Sequence, residues 1–219
     1  MEAGKRINVV TKILAANDRV ADENRRRFAE LGLKVVNLIS SPGAGKTALL
    51  EATIGRIRKD RRVGVIVGDI ATTKDAERIA KHDVPVVQIT TESFGGSCHL
   101  EASTIRQALD EIPLKELDLL FVENVGNLVC PAEFDLGEQA KVSMLSVTEG
   151  EDKPLKYPLA FQVANLVILS KVDLVPHLRV DMEALRANVR QMNPKVRTLE
   201  LSSQTGEGFD AWIEWLKKP

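Results

Sequence analysis

The sequence predicts an α/β fold, a mostly parallel, doubly wound sheet with helices on both faces. Three observations predict it. Apolar runs of strand length recur along the chain and alternate with helix-forming segments. The run around Val35, Val36, Leu38 and Ile39 needs burial on both faces, as a strand covered by helices does. That run also leads through a turn of small residues directly into a helix-forming stretch. At 219 residues, 44% apolar and 28% charged, the chain suits one domain over 1–219, with 1–31 as a helical extension packed on the core. Thirty Lys and Arg against 31 Asp and Glu leave a net charge of −1, which argues against nucleic acid and against a membrane surface.

Residues 3–31 space Ile7, Val10, Ile13, Leu14, Val20, Phe28 and Leu31 at helical intervals, with Ala15 to Asp18 as a place to break into two helices. The next stretch, VVNLISSPGAGKT (Val35 to Thr47), is a strand, a phosphate loop and a helix start, the signature of a P-loop NTPase. Gly43, Ala44, Gly45, Lys46, Thr47 and Ala48 form its phosphate-binding set. Backbone N–H groups converge on phosphate oxygens there, Lys46 reaches the β and γ phosphates, and the Thr47 hydroxyl binds Mg²⁺. Ser40 replaces the first glycine of GxxxxGK(S/T) and is small enough to turn.

Val63 to Val67 is a second strand, and it delivers Asp69 to the nucleotide crevice. Asp75 to Lys81 is helical, Val84 to Ile89 a strand, and Gly95-Gly96-Ser97 a cap for a helix from Cys98 to Glu111. Leu117 to Val122 is a strand ending in Glu123, with Gly126 three residues on. A carboxylate there holds Mg²⁺ or its water, and the glycine N–H meets the γ-phosphate. A loop with Pro131 leads to a strand at Val142 to Val147 and a short helix at Leu159 to Ala164. Leu166 to Leu169 then carries Ser170-Lys171-Val172-Asp173 to the same edge. Asp173 can accept guanine N1–H and the exocyclic amine while the Lys171 stem lies against the base. Glu183 to Met192 is a helix, Lys195 to Leu201 a strand, and Phe209 to Leu216 the last helix. The loop between these last two places Ser202 and Ser203 with the nucleotide-binding residues.

Cys98, His99 and Cys130 are soft donors suited to Ni²⁺ or Zn²⁺, whereas Mg²⁺ prefers oxygen from Thr47, Asp69 and Glu123. Spacing alone leaves two readings of the trio, core residues or ligands. On a helix, neighbours such as Cys98 and His99 point about 100° apart. Location favours ligands, because Cys130 follows Glu123 inside the loop that must rearrange when the γ-phosphate leaves. Two cysteines in a reducing compartment are not expected to pair.

Taken together, SSPGAGKT, GDIATTKDAER, the CHLEA segment, LLFVENVGNLVCP and SKVD resemble the HypB family, nickel-incorporation GTPases of the same class as the urease accessory protein UreG. The resemblance implies GTP hydrolysis (Lys46, Thr47, Asp69, Asp75 and Glu123) coupled to delivery of Ni²⁺ to the NiFe-hydrogenase large-subunit precursor. It also implies work with other maturation factors, a homodimer promoted by GTP, and a metal site of Cys98, His99 and Cys130 at the dimer interface. Lys171 and Asp173 fall on its base-specificity motif. With no cysteine before Cys98 and three histidines in all (His82, His99, His177), tight N-terminal nickel binding and bulk storage are not expected. An ATP-dependent small-molecule kinase shares the phosphate loop and stands as the alternative, as does a GTPase serving urease or a cobalamin enzyme. Met1 to Arg6 lacks a signal-type apolar core and no apolar run reaches about 18 residues, so a cytoplasmic protein is expected.

Overall fold

The structure, a computed structural model, describes residues 9–91 and 98–218. Its strands are β1 (Lys34–Ser40), β2 (Val63–Asp69), β3 (Val86–Thr90), β4 (Leu119–Glu123), β5 (Ala140–Ser146), β6 (Leu166–Ser170) and β7 (Arg197–Leu201). They form a single parallel sheet in the order β3-β2-β4-β1-β5-β6-β7. The helices are α1 (Val9–Leu31), α2 (Lys46–Ile57), α3 (Lys74–Ala80), α4 (Ala102–Ala108), α5 (Cys130–Glu133), α6 (Lys153–Lys156), α7 (Pro158–Gln162), α8 (Met182–Met192) and α9 (Phe209–Lys217).

Alternation along each strand divides the core. Leu38, Val67, Phe121 and Met144 pack with α2 and α9 on one face. On the other, Val35, Ile66, Leu120 and Val122 pack with α1 and α4, and Ile39, Leu145 and Val167 with α7 and α8. Burial of β4 and β6 on both faces is why they read as nearly continuous apolar runs, whereas β1 and β5, buried as deeply, carry Asn37, Lys141 and Ser143 among their apolar residues. Winding reverses on either side of β1, so the crevice for a ligand opens at its carboxyl end. No described helix is long and apolar enough to cross a membrane.

Four local expectations change. Helix α1 runs unbroken through Ala15 to Asp18, because Asn17 is held by tertiary hydrogen bonds to Ala102 N and Asp135 O, both 2.8 Å, which outweigh its weak helix propensity. The helix expected from Cys98 is only Ala102–Ala108, and Cys98 and His99 lie in a bend before it; its proposed cap at Gly95-Gly96-Ser97 lies outside the described residues. Pro131 belongs to a helix, α5, whose first turn needs no N–H from it. Strand β3 starts at Val86, after Pro85, which has no N–H to give the ladder.

Candidate nucleotide and metal sites

Between β1 and α2 the chain turns with Gly43 at φ +75° and Gly45 at φ +99°, left-handed conformations that only glycine adopts cheaply. A cavity of about 470 Å³ opens on this turn. Gly43, Gly45, Lys46, Thr47 and Ala48 line it from below; Asp69, Glu123, Gly126 and Lys171 line it from the neighbouring strand ends and Asp75 from α3. A Cβ on Gly126 would stand 3.1 Å from Pro42, so glycine is what lets the strand end close on the loop.

Two buried ionisable side chains, Lys46 and Glu123, line the floor of the cavity. Lys46 donates to Ser40 Oγ (3.0 Å) and Thr47 Oγ1 donates to Glu123 Oε1 (2.8 Å). Burial depresses the Lys46 ammonium below its usual range and, against the pull of Lys46 and Thr47, pushes the Glu123 carboxyl up to about 7. Glu123 Oε2 is buried with no hydrogen-bond partner among the described residues. An orphaned carboxylate oxygen beside a hydroxyl and Asp69 is a donor set that fits Mg²⁺. Asp69 meanwhile shapes its own turn, accepting from Ile70 N and Thr72 Oγ1, both at 2.6 Å.

Ser170 and Lys171 brace the phosphate loop from the far side. Ser170 Oγ donates to Ala44 O at 2.7 Å and Lys171 Nζ to Gly43 O at 2.6 Å, with Lys171 itself at φ +61°. Asp173 lines an adjoining cleft with Thr205 and Gly206. Ser202 is buried and accepts from Gln204 N and Thr205 N, which holds that loop in place.

The bend before α4 and the start of α5 bring Cys98, His99 and Cys130 together, with donor atoms all within 4.8 Å of one another. Leaving the helix frees Cys98 and His99 from the divergence a helix would impose. Both thiols are free, and Cys98 donates to Cys130 Sγ at 2.9 Å. Burial lowers the His99 pKa, favouring the neutral imidazole that a metal needs; burial and the Cys98 contact raise that of Cys130, so binding must expel a proton. His99 packs against Phe134 with the rings tilted by 36° and their centroids 4.0 Å apart.

Two asparagines on α1 clamp both arms of this cluster. Asn17 bonds Ala102 N and Asp135 O, and Asn24 donates to Ala102 O (2.9 Å) and Leu136 O (3.1 Å). Sequence reasoning missed this clamp, because no local pattern ties residue 24 to residues 102 and 136. It also passed over Arg78, which lines the nucleotide cavity and pairs with Glu51 and Asp75. Arg78 lies one turn after Asp75 on the same helix, a spacing that could have found it.

Residues 34–200 match the family model for the CobW/HypB/UreG nucleotide-binding domain. The hydrogenase maturation factor HypB of Escherichia coli K12 is 48% identical over 99% of this chain and 74% of its own length. The chain belongs to the HypB family. The probable HypB of Methanocaldococcus jannaschii is 37% identical, with 97% of this chain and 95% of that protein aligned. Among solved structures, HypB from Archaeoglobus fulgidus superposes with a TM-score of 0.86 at 40% identity, covering 93% of this chain and 98% of its own. HypB from Helicobacter pylori, solved in complex with nickel, gives 0.86 at 39%, covering 92% and 93%. As a member of this family, the chain carries its nucleotide-binding domain across nearly all of the sheet, and the cluster lies beside that domain's crevice, where Asn127, bridged to Ser40, donates to Cys98 O.

Proposed function

We propose that this protein hydrolyses GTP and uses the cycle to deliver nickel during NiFe-hydrogenase maturation. The observation that carries the reading is the convergence of Cys98, His99 and Cys130 on the segment that continues from Glu123, whose carboxylate is bonded to Thr47 in the phosphate loop. The nickel-bound H. pylori relative supports it. In the cradle, Lys46 neutralises charge spreading over the γ-phosphoryl group as water attacks in line. Thr47, Asp69 and Glu123 would hold Mg²⁺, which when bound supplies further positive charge for the phosphates. Asp75 shares the wall of the cavity with them, and Asp173 reads guanine. The cargo, Ni²⁺ or Zn²⁺, takes the two thiolates and the imidazole. Three ligands are one short of a closed tetrahedral site, and a GTP-promoted homodimer would supply the rest.

The test is a Ni²⁺ titration of the GTP-analogue and GDP forms. A coupling of at least about fivefold is expected, and metal must shift nucleotide affinity by the same factor; equal affinities would overturn the coupling. In the same protein, Asp173→Asn moves preference from GTP toward xanthosine triphosphate. ATP competing equally with GTP would instead favour the kinase reading.

A further inference from the structure

A chain of buried polar side chains runs from the nucleotide crevice to both arms of the Cys/His cluster, and its centre is Asn124, the residue after Glu123. Asn124 Oδ1 accepts from Leu100 N at 3.3 Å, two residues past Cys98, and from Val125 N at 3.0 Å. Its Nδ2 donates to Asn37 Oδ1 on β1 at 3.2 Å, and Asn37 Nδ2 donates to Glu138 Oε1 at 3.0 Å. Glu138 accepts from Leu136 N at 2.7 Å and lies 3.6 Å from Lys141 Nζ. Lys141 turns back and donates to Pro131 O (3.2 Å) within α5, the helix that Cys130 begins, and to Phe134 O (2.9 Å) just past its end.

None of these side chains is at the surface. Asn37 is 0% exposed, Asn124 1% and Lys141 8%, and the Glu138 side chain is 5% exposed. An apolar strand like β1 has no packing reason for an asparagine at its centre, and a buried ammonium and carboxylate are costly unless every partner is met. Here each donor meets an acceptor, which is the condition under which such a network fixes one geometry and transmits its loss.

We infer that Asn124, Asn37, Glu138 and Lys141 are positioning residues that set the spacing of Cys98 and Cys130 according to what Glu123 binds. Asn124 holds the Cys98 arm directly and the Cys130 arm through the other three. A shift of the β4 end therefore moves both arms in one step, not each separately. The inference rests on the nucleotide-coupled metal reading proposed above.

The experiment compares Ni²⁺ affinity in the GTP-analogue and GDP forms of the parent with Asn37→Ala, Glu138→Gln, Lys141→Met and Lys141→Arg. Asn37 touches neither the crevice nor the cluster. The parent ratio of about fivefold or more is expected to fall below about twofold in Asn37→Ala and Lys141→Met, and to be kept in Lys141→Arg. Glu138→Gln preserves volume and the acceptor for Asn37, so it reads the loss of the charge pair should Asn37→Ala fail to fold; its ratio is expected to fall likewise. Parent-like ratios in folded Asn37→Ala or Glu138→Gln overturn the positioning role. A parent ratio of one overturns the coupled reading beneath it.

Discussion

Lys46 and Glu123 lie 8% and 3% exposed at the start of α2 and the end of the buried strand β4, whereas Cys98, His99 and Cys130 stand half-buried on a bend and a one-turn helix. The cradle is assembled from neighbours in sequence, residues 40 to 47, closed by the ends of β2, β4 and β6. The cluster is assembled from segments about thirty residues apart and anchored by side chains from α1 and β5. Short elements held by a few side-chain hydrogen bonds open at lower free energy than core strands. The contrast teaches that one sheet edge can support a rigid charge-handling floor and, beside it, a seat free to change its geometry.

Removing the floor's cation breaks the contrast hardest. Lys46→Ala is expected to cut GTP turnover by about 10²- to 10³-fold, the usual consequence of deleting one preorganised electrostatic partner of a transition state. Phosphate release under single-turnover conditions measures it. Turnover within tenfold of the parent would mean the buried ammonium is structural and the charge is handled elsewhere.

A pH scan of the nucleotide-free protein, read against Glu123→Gln so that titration of the seat cancels, tests the floor. Burial raises Glu123 from 4.5 to about 7, so between those values the folded state holds a proton that the unfolded state releases. The stability this contributes is complete below about 4.5 and is lost as pH rises through about 7. It amounts to roughly 3 kcal/mol as an upper bound. Relative to Glu123→Gln, the parent's unfolding free energy should therefore fall between pH 5 and 8, as urea melts will record. Parallel curves would show that Glu123 is already ionised in its pocket.

What the sequence made legible follows the same divide. The strand order of chemistry, from Lys46 and Thr47 through Asp69 to Glu123 and Lys171, was readable because each residue ends or follows an apolar run, and the parallel sheet carries all such ends to one edge. Ser170 was readable only as the residue that leads into Lys171 and Asp173; the structure shows its hydroxyl bracing Ala44 O. Cys98, His99 and Cys130 were readable as a soft-donor set. Their convergence was expected from the family resemblance and not from spacing, because it depends on a bend where a helix was expected and on Asn17 and Asn24, whose partners lie about 80 to 120 residues away.

Asn24 gives the sharpest small test of how the seat is held. Asn24→Ala leaves Ala102 O and Leu136 O without their donor in a buried place, which should lower unfolding free energy by about 1–3 kcal/mol. If α1 positions the ligands, Ni²⁺ affinity falls by about tenfold as well, the scale of losses from outer-shell changes. Stability alone could mimic this, so the comparison is Thr53→Val, which removes the buried acceptor of Trp212 Nε1 on the opposite face of the sheet. Thr53→Val should destabilise to a similar degree and leave nickel affinity at the parent value. Equal losses in both variants would mean that the seat follows global stability, and that the clamp from α1 orders the fold without setting the ligand geometry.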